Sequence, residues 1–143
     1  MTPTTTGFAL DPGLIADTAT VGDLELSRVL LMNDARFPWL ILVPRRGDAR
    51  ELIDLAEADQ HCLLQEIGKC AIALRTMTRP RKLNIAALGN VVAQLHVHVI
   101  ARFETDVAWP RPVWGEGSAQ AYSPQDLNAR ISALRDRLDL AGK

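Results

Sequence analysis

Two apolar runs, residues 24–32 (LELSRVLLM) and 37–43 (FPWLILV), flank the polar stretch Asn33-Asp34-Ala35-Arg36. Short runs rich in Leu and Val on either side of a polar connector predict a β-hairpin. Pro38 stands near the start of the second run, where a strand tolerates it. Pro44-Arg45-Arg46-Gly47-Asp48 then breaks the pattern. A short helical turn is expected at 50–57. Beyond it Leu63, Ile67, Cys70, Leu74 and Met77 recur at helical spacing as one apolar stripe. Asp59 is placed to cap that helix and Pro80 follows its end. His61 falls in its first turn, where an exposed or capping role is expected. Residues 82–88 (KLNIAAL) and 91–100 (VVAQLHVHVI) read as two further strands, punctuated by Gly89-Asn90. Residues 104–121 form an irregular loop carrying Trp109 and Trp114. Ser123-Pro124-Gln125-Asp126 opens a last helix, with Ser123 as cap, and Leu127, Ile131, Leu134 and Leu138 give it one apolar face.

This order is hairpin, helix, two strands, loop, helix. It does not alternate strictly, so the expected class is α+β: an antiparallel sheet of about five strands with a long helix packed on it, a C-terminal helix, and helices on one face. With 143 residues the chain is expected to form a single domain over 1–143, with residues 1–7 as a loose tail and 104–143 as a C-terminal loop and helix extension. Its 16 basic and 17 acidic residues leave a formal net charge of −1, and no global basic field exists to hold nucleic acid. The small clusters Arg45-Arg46 and Arg79-Pro80-Arg81-Lys82 read as solvated loop charges. Cys62 and Cys70 lie about 12 Å apart along one helix, too far for a disulfide. No leader-like or membrane-spanning stretch stands out, and a reducing cytoplasm fits.

The chemistry concentrates in Gln94-Leu95-His96-Val97-His98-Val99-Ile100. In a strand alternate side chains share a face, so Gln94, His96 and His98 are expected in a row at spacings of about 6.6 Å. Three readings compete. Both imidazoles can be solvated or satisfied by backbone groups. They can be a zinc ligand pair, although the one other histidine is His61 and no acidic cluster lies near in sequence. Or they can act on phosphorus.

The stretch from Asn84 through Arg102 (NIAALGNVVAQLHVHVIAR) resembles the signature of the histidine-triad (HIT) family, His-φ-His-φ-His-φ-φ with φ apolar. His96, His98 and every apolar position match. Gly89-Asn90 stands where the family has a Gly-polar pair, and the resemblance covers about residues 20–103. Gln94 replaces the first histidine, and a glutamine cannot exchange a proton near neutral pH. Trp39 stands where many members carry a histidine, and Val91 where some carry a hydroxyl.

The resemblance implies a nucleotide hydrolase that cleaves at the α-phosphate of dinucleoside polyphosphates or nucleoside phosphoramidates. His96 is then the nucleophile, forming a nucleotidyl-histidine that water cleaves. His98 and the backbone N–H groups of Gly89, Asn90 and Val91 are expected at the phosphate oxygens. Gln94 is expected to orient the bridging atom, and restoring histidine there to raise activity or leave it unchanged. Asn33 and Asp34 are candidates for the ribose hydroxyls, or are hairpin turn residues. The substrate expected is a purine nucleotide or dinucleoside polyphosphate, with no cofactor, metal, nucleic acid or membrane. The family usually works as a homodimer, for which Trp109 and Trp114 are anchors unless they cover their own core. Two other readings remain: a non-catalytic nucleotide-binding protein, and a metal-dependent enzyme with His96 and His98 as ligands.

Overall fold

Ser27–Met32 (β2) and Trp39–Pro44 (β3) pair antiparallel, as the two apolar runs require. The computed structural model describes residues 7–140, so most of the tail expected at 1–7 lies outside the described residues. Leu52–Asp54 forms a 3-10 turn, followed by the long helix α2, Glu57–Thr78. Ala56 rather than Asp59 is its N-cap. Asp59 sits inside the first turn, paired with Arg46 at 2.8 Å. Lys82–Ala86 (β4) and Val97–Arg102 (β5) pair antiparallel, and β5 also lies against β3. Pro124–Arg137 (α3) begins as expected, with Ser123 accepting a hydrogen bond from the Asp126 N–H.

Two elements come from a segment with little periodic signal. Pro12–Asp17 (α1) is a six-residue helix, and Thr18–Asp23 (β1) pairs with β2. Only Val21 of β1 is fully shielded, because β1 is an edge strand with a bulge between Thr20 and Gly22. A Cβ at Gly22 would meet the Leu140 side chain at 3.0 Å, so glycine lets the end of the chain close over the bulge. The complete sheet runs β1-β2-β3-β5-β4.

All six residues of β3 and of β5 are buried, because both strands are covered on both faces. Leu40, Leu42, Val97, Val99 and Ala101 join Leu63, Leu74 and Leu134 in the core beneath α2 and α3. Trp39, Ile41, Val43 and Ile100 join Leu14, Phe37 and Val113 in a second core on the opposite face. The long helices therefore share one face, while α1 and the loop after β5 cover the other.

Two buried charged side chains hold irregular backbone. Arg102 bonds both carboxylate oxygens of Asp106 at 2.9 and 3.0 Å and the Asn84 Oδ1 at 2.8 Å. Burial alone would raise the Asp106 carboxyl, but Arg102 and the Phe103 and Trp109 N–H groups more than offset it and hold it low. Glu66 of α2 reaches under the β1–β2 turn and accepts from the N–H groups of Leu26 and Ser27 at 2.8 and 2.9 Å. Cys62 and Cys70 are free thiols, and burial pushes Cys70 up to about 12.

Glu66→Ala leaves two shielded N–H groups without an acceptor. We expect a loss of about 3 kcal/mol, seen as a fall of roughly 10 °C in Tm. A fall of only a degree or two would show that water replaces the carboxylate.

Candidate functional site

β4 ends at Ala86, paired with His98, so the intervening residues must turn the chain between antiparallel neighbours. β5 therefore starts at Val97, not at residue 91, and Gln94 and His96 precede it. This corrects the expected row of three. The Gln94 amide turns to the N-terminal segment, where Oε1 accepts from the Asp11 N–H and Nε2 donates to the Ala9 carbonyl, both at 2.9 Å. Gln94 thus anchors the residues that lead into α1.

The two imidazoles do come together, with ring centroids 4.9 Å apart. His96 is 7% exposed, and its Nδ1 lies 2.7 Å from the Gln94 backbone oxygen. A carbonyl only accepts, so Nδ1 carries a proton, and in the neutral ring the lone pair is on Nε2. His98 has the reverse arrangement. The Trp39 indole N–H donates to His98 Nδ1 at 2.9 Å. An indole only donates, so the His98 proton sits on Nε2. Trp39 and His98 meet because Ile41 is opposite His98 in the β3–β5 register, which makes Trp39 its diagonal neighbour on the same face. Burial, and then the neighbouring His96, push His98 down to about 4. The pair presents one ring nitrogen with a lone pair and one ring N–H that can donate.

Both rings open into a cleft of about 230 Å³, walled by Leu14, Met32, Ile41, Val92 and Trp114, with Asp17 at its edge. Gly89, Asn90 and Val91 form its lip, with Gly89 at φ +72° and Val91 97% exposed. In residues 88–96 the backbone–backbone hydrogen bond is Leu95 N–H to Ala49 C=O, at 3.0 Å. The N–H groups of Gly89, Asn90 and Val91 therefore have no backbone acceptor among the described residues.

Asn33 and Asp34 line an adjoining cavity of about 340 Å³ instead. Asn33 Oδ1 accepts from the Tyr122 N–H at 2.9 Å. Asp34 is 2% exposed and grips Arg36 through both oxygens, at 2.8 and 3.0 Å. Burial would raise its carboxyl, but Arg36 and the Gln120 N–H hold it low. The 2% exposed Asp34 is thus engaged by its own chain, whereas Asn33 is half-buried and its Nδ2 has no hydrogen-bond partner among the described residues. Asp17 was missed in the sequence. It is exposed and lines both cavities, and no motif marks the last residue of a six-residue helix.

Trp114 stands between the two cavities, 5.0 Å from the His98 ring and 5.8 Å from Trp39. Trp109 lies 5.9 Å from the Arg102 guanidinium. Both tryptophans pack on their own chain. Among the described residues no group of three or more His, Cys, Asp or Glu is arranged to hold a metal ion. No described helix is long and apolar enough to cross a membrane.

Trp39→Phe removes the donor to His98. Nitrogen-15 spectra are expected to show a mixture of His98 tautomers in place of one, with the ring titrating about a unit higher. An unchanged tautomer would refute the role assigned to the indole. Gln94→His removes a donor and acceptor set side by side. Amide exchange in residues 9–17 should then rise about tenfold or more, and unchanged protection would show that the amide is not the anchor.

The family model for the HIT domain matches residues 15–105. The chain is similar in structure to a histidine triad protein from Bradyrhizobium japonicum, with 52% identity, a TM-score of 0.90, and 92% of this chain and 98% of that one covered. A second, from Sinorhizobium meliloti 1021, gives 44% identity and a TM-score of 0.91, covering 94% and 99%. A third, from Marinobacter aquaeolei VT8, gives 40% and 0.90, covering 92% and 96%. No curated protein matches. The motif around His96 and His98, the five-stranded sheet and these similarities place the chain in the histidine triad (HIT) family.

Proposed function

We propose that this protein is a nucleotide hydrolase that cleaves nucleotide conjugates at the α-phosphorus through a nucleotidyl intermediate on His96. The observation that carries this reading is the 2.7 Å contact from His96 Nδ1 to the Gln94 carbonyl, which leaves the Nε2 lone pair free for attack. Nε2 displaces the leaving group and water then cleaves the P–N bond. Two easier displacements replace one difficult attack.

His98 donates its Nε2–H to a phosphate oxygen. Held neutral by burial, it does so without becoming an imidazolium near neutral pH. The N–H groups of Gly89, Asn90 and Val91 take the remaining oxygens. Leu14, Met32, Ile41 and Val92 enclose the base, and Asp17, with Asn33 in the adjoining cavity, receives the ribose hydroxyls in place of Asp34. Gln94 contributes its carbonyl to His96 and its amide to the wall of the cleft. A soluble cytoplasmic homodimer completes the proposal, joined through the free edge of β4, where Ile85 is half exposed.

His96→Ala should lower kcat at least about a thousandfold when assayed on diadenosine tetraphosphate and on an adenosine phosphoramidate. Acid-labile radiolabel from an α-labelled nucleotide should be trapped on the wild-type chain and lost in the variant. Nucleotide binding with no turnover, unaltered by His96→Ala, would assign the protein to a non-catalytic binding role.

A further inference from the structure

We propose that the cavity adjoining the cleft reads the nucleobase, and that Glu116 and Arg36 there select guanine over adenine. The inference rests on the cleft being the nucleotide site.

The two cavities share Asp17, Met32, Trp39 and Trp114. A base held against Met32 and Trp114 therefore has its inner edge in the apolar cleft and its outer edge in the adjoining cavity of about 340 Å³. The wall that faces the outer edge comes from residues 113–119, beyond the HIT domain at 15–105. It is held firmly to the body of the protein. Val113 is buried in the core that faces away from α2. Arg36 Nη1 donates to the Glu116 carbonyl at 2.6 Å, and the Ala35 N–H donates to the Gln120 carbonyl at 2.6 Å. Gly117 turns the wall at φ +56°, where a side chain would be strained. A Cβ there would lie 3.8 Å from Arg36 Nη1, so glycine also keeps a side chain from covering the guanidinium.

The polar groups of this cavity divide into those engaged by the chain and those left for a ligand. The Asp34 carboxylate bonds Arg36 and the Gln120 N–H, and the Trp39 indole bonds His98. Asp17 and Asn33 go to the ribose. Arg36 and Glu116 remain. Arg36 bonds Asp34 through Nε and Nη2 and the Glu116 carbonyl through Nη1, which leaves one N–H on each Nη. Glu116 Oε1 is paired at 2.7 Å with Arg111, whose side chain is 63% exposed. A pair so open to water is weak, and a carboxylate keeps lone pairs for further donors. The cavity thus offers a carboxylate beside a guanidinium, with Trp114 as aromatic surface.

That donor set matches one base. A carboxylate can accept two parallel N–H bonds, and guanine alone carries two adjacent N–H donors, at N1 and N2, with the O6 acceptor next to them. Guanine bonds Glu116 through N1–H and N2–H and Arg36 through O6. Adenine has a single amino group flanked by ring nitrogens, so one bond to Glu116 would set a lone pair against the second carboxylate oxygen. Cytosine has the same defect, and uracil has one N–H between two carbonyls. A buried polar group left unpaired, or facing its own kind, is what lets such a site discriminate.

The test measures binding of GMP, IMP and AMP by titration calorimetry, and kcat/KM for the three corresponding nucleoside phosphoramidates. We expect GMP to bind roughly tenfold or more tighter than AMP. IMP keeps O6 and N1–H but lacks the 2-amino group, and should fall between them. The kcat/KM values should follow the same order, with the difference carried by KM. Glu116→Gln exchanges one acceptor oxygen for a donor at constant size, and should bring the GMP-to-AMP ratio close to one. Equal binding of the three nucleotides, or preference for AMP, would overturn the proposal. So would a Glu116→Gln variant that weakens all three alike, which would assign Glu116 to holding the loop. In each of those cases labelled His96 still forms from α-labelled conjugates. Preference for GMP with no label on His96 from any conjugate would uphold the base selection and remove the hydrolase.

Discussion

The pleat of β5 is the constraint on which the site depends. The strand lies between β3 and β4 with α2 across one face, so Val97, Val99 and Ala101 must face the helix core. Period-two geometry then sends His98 to the other face, beside Trp39 and Ile41. A register slip of a single residue would put the imidazole into the α2 core and a valine into the cleft. Burial of both strands on both faces makes that slip costly, and His98 is thereby held without any ligand.

Hydrogen bonding does the rest, because each ring nitrogen near the cleft is defined by a partner that can act in only one sense. The Gln94 carbonyl accepts, so His96 keeps a lone pair on Nε2. The Trp39 indole donates, so His98 keeps a proton on Nε2. An imidazole at position 39 could act in either sense, and the tautomer of His98 would then follow the protonation of its neighbour. Trp39 removes that freedom, and its contact with Trp114 joins the site to the loop that closes it.

Much of this was readable in the sequence. The hairpin, α2 and α3 announce themselves through long periodic runs with Pro, Gly and Ser123 at their ends. The His96–His98 motif carried the family. The misreading of Gln94 comes from bonding between residues far apart in sequence. Gln94 fits a strand pattern, but its amide is claimed by Ala9 and Asp11, more than eighty residues away. Asp34 lies in the hairpin connector, one of the two roles its composition allows, and its carboxylate bonds Arg36 and the Gln120 backbone. β1 and α1 escaped because an edge strand with one fully shielded residue and a six-residue helix leave almost no periodic trace.

Glutamine at position 94 also has a structural logic. An amide presents a donor and an acceptor from one carbon, side by side, as a neighbouring strand would. The nitrogens of an imidazole point in widely divergent directions and cannot bond the Asp11 N–H and the Ala9 carbonyl together. Segment 9–11 leads directly into α1, whose Leu14 and Asp17 line the cleft in front of the two imidazoles. Glutamine at position 94 thus braces the cleft wall and offers no proton-exchanging group there.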